Sequence, residues 1–170
     1  LNIHTRDEMS DLAASLRLMA MRLSRLEKKS LDSSPLTRMP GGLAIETVLT
    51  DRLEKDGNVA FCMLDLDNFK KVNDKHGHSV GDEALKKLSE LLQKSFGLEK
   101  HIVCRWGGDE FAIIYYGEKD ELLVKLKELK QAFKAYISDY EETTDISMSI
   151  ITFSDYNQVS QILVAADHLL

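Results

Sequence analysis

Two short acidic runs stand out because each interrupts an apolar stretch instead of lining a polar helix face. In the first, Val59-Ala60-Phe61-Cys62-Met63-Leu64 runs straight into Asp65-Leu66-Asp67; in the second, Asp109-Glu110 lies between Gly107-Gly108 and Phe111-Ala112-Ile113-Ile114. Carboxylates brought together from two such places repel one another unless a cation lies between them. A few hard oxygen ligands that leave room for phosphate oxygens suit Mg²⁺ or Mn²⁺. The chemistry that follows is phosphate chemistry on a nucleotide, in which a metal neutralises charge and a carboxylate helps to deprotonate a hydroxyl. The same residue types also cap helices and fill turns, and for Asp65, Asp109 and Glu110 composition and spacing leave both readings open. Asp67, just ahead of a short helical pattern, reads as a helix cap. The Gly107-Gly108 pair exposes backbone N–H groups, permits positive φ and lets a phosphate or sugar approach closely. Taken alone, such a pair is equally a plain hairpin turn.

The elements that must position these groups are legible from periodicity and punctuation. Val59 to Leu64 is a continuous apolar run of strand length ending in Asp65, which predicts a buried central strand. His101–Arg105 and Phe111–Tyr116 read as two strands of a hairpin around Trp106–Glu110. Phe69–Asp74 predicts a short helix, Gly77 and Gly81 bracket a turn, and Asp82–Ser95 carries Ala84, Leu85, Leu88, Leu91 and Leu92 on one helical face. Leu43–Lys55 and Glu121–Ile137 read as amphipathic helices, Ile146–Phe153 as a strand, and Gln158–Leu170 as a last helix. Helices mixed with hairpin-joined strands predict a layered α/β sandwich, an α+β fold with a mostly antiparallel central sheet flanked by helices. If the first strand pairs beside the hairpin, the two acidic runs converge at one end of that sheet.

The N-terminal segment differs in kind. From Asp7 to Lys28 there is no Gly or Pro, and Met9, Leu12, Leu16, Met19, Leu23 and Leu26 alternate in steps of three and four, the spacing of a coiled-coil seam. Thr5 is placed to cap that helix. A polar stretch, Ser30–Gly42, then holds both prolines, Pro35 and Pro40, and reads as a linker. The expected domains are therefore 1–29, a helix with a dimerising coiled-coil seam or an ordinary packed amphipathic face; 30–42, a linker and entry loop; and 43–170, the domain that carries both acidic runs. The chain has 170 residues and a net charge of −6 from 22 Lys plus Arg and 28 Asp plus Glu. That balance excludes a nucleic-acid polymer gripped by a broad basic surface, since phosphate contacts need clustered cations. Two cysteines, Cys62 and Cys104, in apolar runs predict reduced core thiols, not a disulfide framework. No apolar stretch is long enough to span a bilayer, and the start, Leu1-Asn2-Ile3-His4, is neither an initiator Met nor a signal peptide, so the chain reads as part of something longer.

Three blocks together carry a resemblance. Arg105-Trp106-Gly107-Gly108-Asp109-Glu110-Phe111, with Asp65-Leu66-Asp67-Asn68-Phe69-Lys70-Lys71-Val72-Asn73-Asp74 and Gly77-His78-Ser79-Val80-Gly81-Asp82 upstream of it, resembles the GGDEF family of diguanylate cyclases from about Ser34 to Leu170. The resemblance implies a palm-like nucleotidyl-cyclase fold that condenses two GTP into cyclic di-GMP and two pyrophosphates, one GTP per protomer across a two-fold axis. It implies that Asp65, the backbone carbonyl of Leu66 and Asp109 bind Mg²⁺ or Mn²⁺, and that Glu110 assists deprotonation of the 3′-hydroxyl, the division of labour between Asp109 and Glu110 being open. Asn73 and Asp82 match the positions that read guanine, whose ring N–H and exocyclic amine a carboxylate accepts together. Gly107 and Gly108 match the turn beside the substrate. His78 matches a position near the substrate and is equally readable as structural; Phe69, Val72 and Phe111 read as core.

The chain departs from the family pattern in three places. The usual Asp-x-Leu-Thr-Gly-Leu-x-Asn-Arg opening stands here as Ser34-Pro35-Leu36-Thr37-Arg38-Met39-Pro40-Gly41-Gly42, with Ser34 at the Asp position, so the tethering of that loop is expected to differ. The Arg-x-x-Asp product-inhibition site is replaced by Leu98-Glu99-Lys100-His101, which predicts no cyclic di-GMP feedback there. The last helix stops where members usually continue with a Lys/Arg-bearing segment that contacts triphosphate, which predicts weakened substrate affinity. The stretch from Asp7 to Ala13 is similar to the closing helix of a HAMP module. It implies a cytoplasmic output domain of a membrane-anchored bacterial signalling protein, with a sensor or membrane module upstream and a homodimer through the N-terminal helix. The rival expectations are a non-catalytic GTP- or partner-binding module of the same fold, and a dimerisation cassette built on the first helix.

Overall fold

The computed structural model describes Met19 and residues 32–53, 59–97, 101–140 and 144–170. The expected helix from Asp7 to Lys28, its Thr5 cap and most of Leu98–His101 lie outside the described residues. The chain divides into two units, Leu1–Ser33 and Ser34–Leu170. The second unit holds helix α1 (Gly42–Leu53), strand β1 (Val59–Leu66), α2 (Phe69–His76), α3 (His78–Phe96), β2 (Ile102–Arg105), β3 (Glu110–Tyr116), α4 (Lys119–Ile137), β4 (Ile146–Thr152) and α5 (Val159–Leu169). Single 3₁₀ turns at Ser138–Tyr140 and Phe153–Asp155, absent from the sequence reading, close α4 and β4. No described helix is long and apolar enough to cross a membrane.

The four strands pair in the order β2-β3-β1-β4, every neighbour antiparallel. β1 is paired on both sides and covered on both faces, which is why its sequence shows an unbroken apolar run. Alternate residues feed two cores. Cys62, Leu64, Phe111, Ile113 and Tyr115 meet Leu85, Leu88 and Leu92 of α3 and Leu122, Leu126 and Phe133 of α4. Phe61, Met63, Ala112 and Ile114 meet Ile45 and Leu49 of α1 and Ile162 and Ala166 of α5. Cys62 and Cys104 are both free and buried, one in each core, so the sheet itself separates them.

Three sequence expectations are corrected. Gly81 does not bracket a turn: α3 already begins at His78, and Gly81 sits buried in its first turn. Absence of a side chain there lets α3 lie against α2, since an added Cβ would strike Asn73 Oδ1 and come within 3.1 Å of the Phe69 ring. Asp67 does not cap α2. The capping position is Asn68, in the left-handed region (φ 59°), with no side-chain cap bond. β1 stays paired to β4 through Leu66 and Ile146, so Asp67 prolongs that ladder: its N–H donates to the Asp145 carbonyl (2.9 Å), and its Oδ1 accepts from the Ser147 hydroxyl (2.6 Å). Lastly, Gly107 and Gly108 do not take a positive φ; the described glycines that do are Gly77, Gly97 and Gly117.

The segment before α1 is a folded loop, held by Arg38 N–H to the Ser34 carbonyl (2.7 Å) and Ser34 N–H to the Met39 carbonyl (2.9 Å). Met39 is buried in the core of the α3/α4 face. The loop also covers the free edge of β2, where the Arg105 N–H donates to the Pro40 carbonyl (2.9 Å).

Candidate functional site

The site forms where β1 and β3 run out of helix cover. Asp65 follows Met63 on the α1/α5 face of β1, and Glu110 precedes Ala112 on the same face of β3. The register sets Asp65 directly opposite Glu110, and a residue slip would send one of them to the other face. Asp109 stands one residue earlier, on the turn. Burial, then the charges of Asp109 and Asp67, pushes the Asp65 carboxyl above its ordinary range. Burial, then Asp65, Asp109 and Asp167, does the same to Glu110.

The turn is built to crowd these groups. Trp106 N–H (2.8 Å) and Gly107 N–H (3.2 Å) both donate to the Glu110 carbonyl, closing the hairpin. Gly107 is needed for space, not for φ: an added Cβ would strike Glu110 Oε2. Gly108 faces open space, so a ligand can lie against its backbone. Arg105 holds the Gly108 carbonyl with both Nε (3.1 Å) and Nη2 (2.6 Å) and spends Nη1 on Ser34 Oγ (3.0 Å). Partial burial lowers the Arg105 guanidinium from its usual range, while the charges of Asp82 and Asp109 act the other way.

The second group of candidates lies on α2 and α3. Asn73 Oδ1 occupies the notch that Gly81 leaves, beside Asp82 on the next residue of α3. Asp82 reaches the hairpin through its charge on Arg105, so both groups gather at one end of the sheet. His78 is exposed one helical turn before Asp82, on the same side of α3. Among the described contacts none ties it to the carboxylates. Phe69 is half-buried, while Val72 and Phe111 are buried. A cleft of about 260 Å³ opens beside the carboxylates, lined by Met63, Trp106, Glu110, Leu163, Val164 and Asp167. Two of the site's residues escaped the sequence reading. Arg105 stood in the quoted motif without a role; Asp167 is the one acidic residue of α5, a signal that could have marked it.

A divalent cation fits this donor set. Two carboxylates pushed above their ordinary range by burial and by neighbouring acids are hard oxygen donors in want of a cation, and Leu66, its side chain in the core, offers the site only its backbone. Among the described residues no group of three or more His, Cys, Asp or Glu side chains is placed to hold a metal ion, so the protein's share would be two carboxylates and a backbone carbonyl. An ion held here would keep coordination positions for phosphate oxygens.

The chain is 42% identical over 95 residues to the probable diguanylate cyclase DgcI of Escherichia coli K12, covering 55% of this chain and 21% of that protein. It is 32% identical over 116 residues to the diguanylate cyclase DgcS of Shewanella oneidensis, covering 68% of this chain and 39% of that protein. The chain thus spans a fifth to two fifths of the length of these relatives. Among solved structures, a microbial GGDEF domain described in a novel interaction mode with cyclic di-GMP superposes with a TM-score of 0.70 at 26% identity, covering 81% of this chain and 88% of that one. The profile described as "Diguanylate cyclase, GGDEF domain" matches residues 32–170. The crowded turn Gly107-Gly108-Asp109-Glu110 is thus the signature of its lineage, and the chain belongs to the GGDEF family.

Proposed function

We propose that this chain is a diguanylate cyclase that condenses two GTP into cyclic di-GMP and two pyrophosphates, each protomer of a homodimer presenting one GTP. The observation that carries the reading is the cross-strand pair Asp65–Glu110 with Asp109 on the adjoining turn, while the charge of Asp82, beside the Gly81–Asn73 contact, acts on Arg105 of the same hairpin. Mg²⁺ or Mn²⁺ held by Asp65, Asp109 and the Leu66 carbonyl supplies the charge neutralisation that a triphosphate needs. The chain's own groups do the rest. Asp82 accepts the ring N–H and exocyclic amine of guanine, with Asn73 beside it; adenine lacks that donor pair and leaves the carboxylate unpaired. His78, exposed one helical turn before Asp82, is the further candidate on the substrate side. The backbone of Gly107 and Gly108 lets the nucleotide settle against the turn.

Glu110 takes the proton from the 3′-hydroxyl. The freed oxygen bonds the α-phosphorus of the partner protomer's GTP, and the bond from that phosphorus to pyrophosphate breaks. Burial and neighbouring carboxylates make Glu110 a stronger base than a solvated glutamate. With one GTP per protomer, turnover requires two copies to meet, the task assigned to the helix of residues 1–29 and to a sensor or membrane module upstream in a bacterial signalling protein. Incubation with GTP and Mg²⁺, read by nucleotide chromatography, yields cyclic di-GMP from the wild type and none from Asp109→Ala. A folded, dimeric wild type that makes none refutes the reading. GTP binding without product would instead support the non-catalytic module, which Ser34 at the family's Asp position favours.

A further inference from the structure

Arg105 links places far apart in sequence. Its Nε and Nη2 grip the carbonyl of Gly108, the residue before Asp109, while its Nη1 donates to the hydroxyl of Ser34, 71 residues away. Its own N–H is fixed on Pro40, at the other end of the loop that Ser34 begins. Ser34 is the first residue of the folded unit and is held three times more, by Arg38 N–H on its carbonyl, by its own N–H on the Met39 carbonyl, and by a long bond (3.4 Å) from the Thr37 N–H to its Oγ, with Met39 buried in the core. A guanidinium is planar, so turning it to keep Ser34 also fixes the angle at which it holds Gly108.

We infer that Ser34 and Arg105 are positioning residues: the bridge Ser34 Oγ–Arg105–Gly108 carbonyl holds the turn that presents Asp109 and Glu110, and ties it to the point where the chain from residue 33 enters the unit. The inference rests on the cyclase reading for its kinetic consequence and on geometry alone for its structural one. Gly107 and Gly108 cannot hold the turn by themselves. They carry no side chains, and the hairpin N–H groups of Trp106 and Gly107 both converge on Glu110, leaving the Gly108 carbonyl to Arg105 among the described contacts. The neutral hydroxyl makes this a weaker bond than a carboxylate at position 34 would form, so the bridge can open without unfolding the loop, which keeps its backbone bonds and Met39.

The test uses the 170-residue chain with Ser34→Ala, Ser34→Thr, Arg105→Lys and the double variant Ser34→Ala/Arg105→Lys. Initial rates with GTP and Mg²⁺ are measured beside hydrogen–deuterium exchange of the peptide spanning the turn. Expected is a fall of about fivefold in kcat for Ser34→Ala, the equivalent of the one bond from Arg105, since the Thr37 N–H contact with the same oxygen is long (3.4 Å) and lies within the loop, with KM for GTP within a factor of two. Turnover recovers in Ser34→Thr, and Ser34→Ala adds no loss once Arg105 is Lys. Exchange at 106–110 rises in Ser34→Ala, while that of β1 stays unchanged. Unchanged kcat together with unchanged exchange overturns the inference. So does a loss shared equally by kcat, KM and melting temperature, or one that Ser34→Thr does not recover. A wild type without turnover refutes the cyclase reading, and exchange at the turn then still decides the bridge.

Discussion

Replacing Gly81 by alanine sets two effects of known sign against each other. In the interior of a helix, Gly→Ala stabilises by about 1 kcal/mol through backbone entropy and propensity. Here the added Cβ would strike Asn73 Oδ1, lie 3.0 Å from Asn73 Cγ and 3.1 Å from the Phe69 ring. Overpacking of this kind costs about 1–3 kcal/mol, and the lower figure applies because Oδ1 is the far end of a side chain that can rotate away. The two nearly cancel, so the melting temperature of Gly81→Ala is expected within roughly 4 °C of wild type. The consequence appears in ligand binding: Asn73 is driven from the notch it shares with Asp82, and loss of one guanine hydrogen bond weakens GTP about two- to tenfold. Removing Asn73 first exposes the reasoning to refutation. In an Asn73→Ala background the colliding amide is gone, so Gly81→Ala should add stability and leave nucleotide affinity unchanged. The assay is a double-mutant cycle with thermal unfolding and a fluorescent GTP analogue. If Gly81→Ala lowers GTP affinity by the same factor in both backgrounds, Asn73 is not what the glycine makes room for, and the account of the notch fails.

Asp65→Asn removes a charge from a group set against Asp109 and Asp67, so in EDTA this variant should melt above wild type by an amount equivalent to about 0.2–1 kcal/mol. Added Mg²⁺ should raise wild type and not the variant; equal metal responses would count against the ion site. Burial pushes the Cys62 thiol up to about 12, so at pH 8 the native chain should resist iodoacetamide at Cys62 and react only in denaturant, as peptide mapping would show. Asp145 feels opposed influences: burial raises its carboxyl, but the Ile146 N–H and Lys130 (Nζ to Oδ1 3.2 Å) outweigh it and hold the group below the usual aspartate range. A lowered carboxylate contributes stability that is present above its unfolded value and lost as pH falls through its folded one. The stability gap between wild type and Asp145→Asn should therefore close on acidification below the ordinary aspartate range; in urea titrations from pH 7 to pH 3, a gap that widens would reverse the assignment.

The strands were legible because burial left a plain trace. β1 is apolar throughout because both of its faces are covered, and the hairpin strands differ from expectation by one residue at each start, where His101 falls outside β2 and Glu110 inside β3. What the sequence concealed were side-chain contacts, near and distant in the chain, that no local pattern displays. Gly81 resembles a turn residue on local grounds, and only the approach of Asn73 explains a glycine inside a helix. Asp67 has the look of a cap, yet its partner is Ser147, 80 residues on. Gly107 suggested a special φ, whereas the constraint is the volume of Glu110. Of the candidate site, Asp65, Asp109 and Glu110 were visible because charge at the end of an apolar run is conspicuous. Arg105 and Asp167 were not, since one acts through a carbonyl and the other reaches the carboxylates from a helix nearly sixty residues downstream.

Asp65, Asp109 and Glu110 belong to neither of the two cores, and the turn from Trp106 to Asp109 lies outside every strand. The hydrophobic packing of the domain therefore does not draw on the acids to which chemistry is assigned. A lineage can lose those side chains by single substitutions and keep both cores, with the proposed guanine notch on a different pair of helices left whole. Descendants of such a fold can thus become receptors for the nucleotide their ancestors converted, because in this architecture recognition and reaction are encoded in separate places.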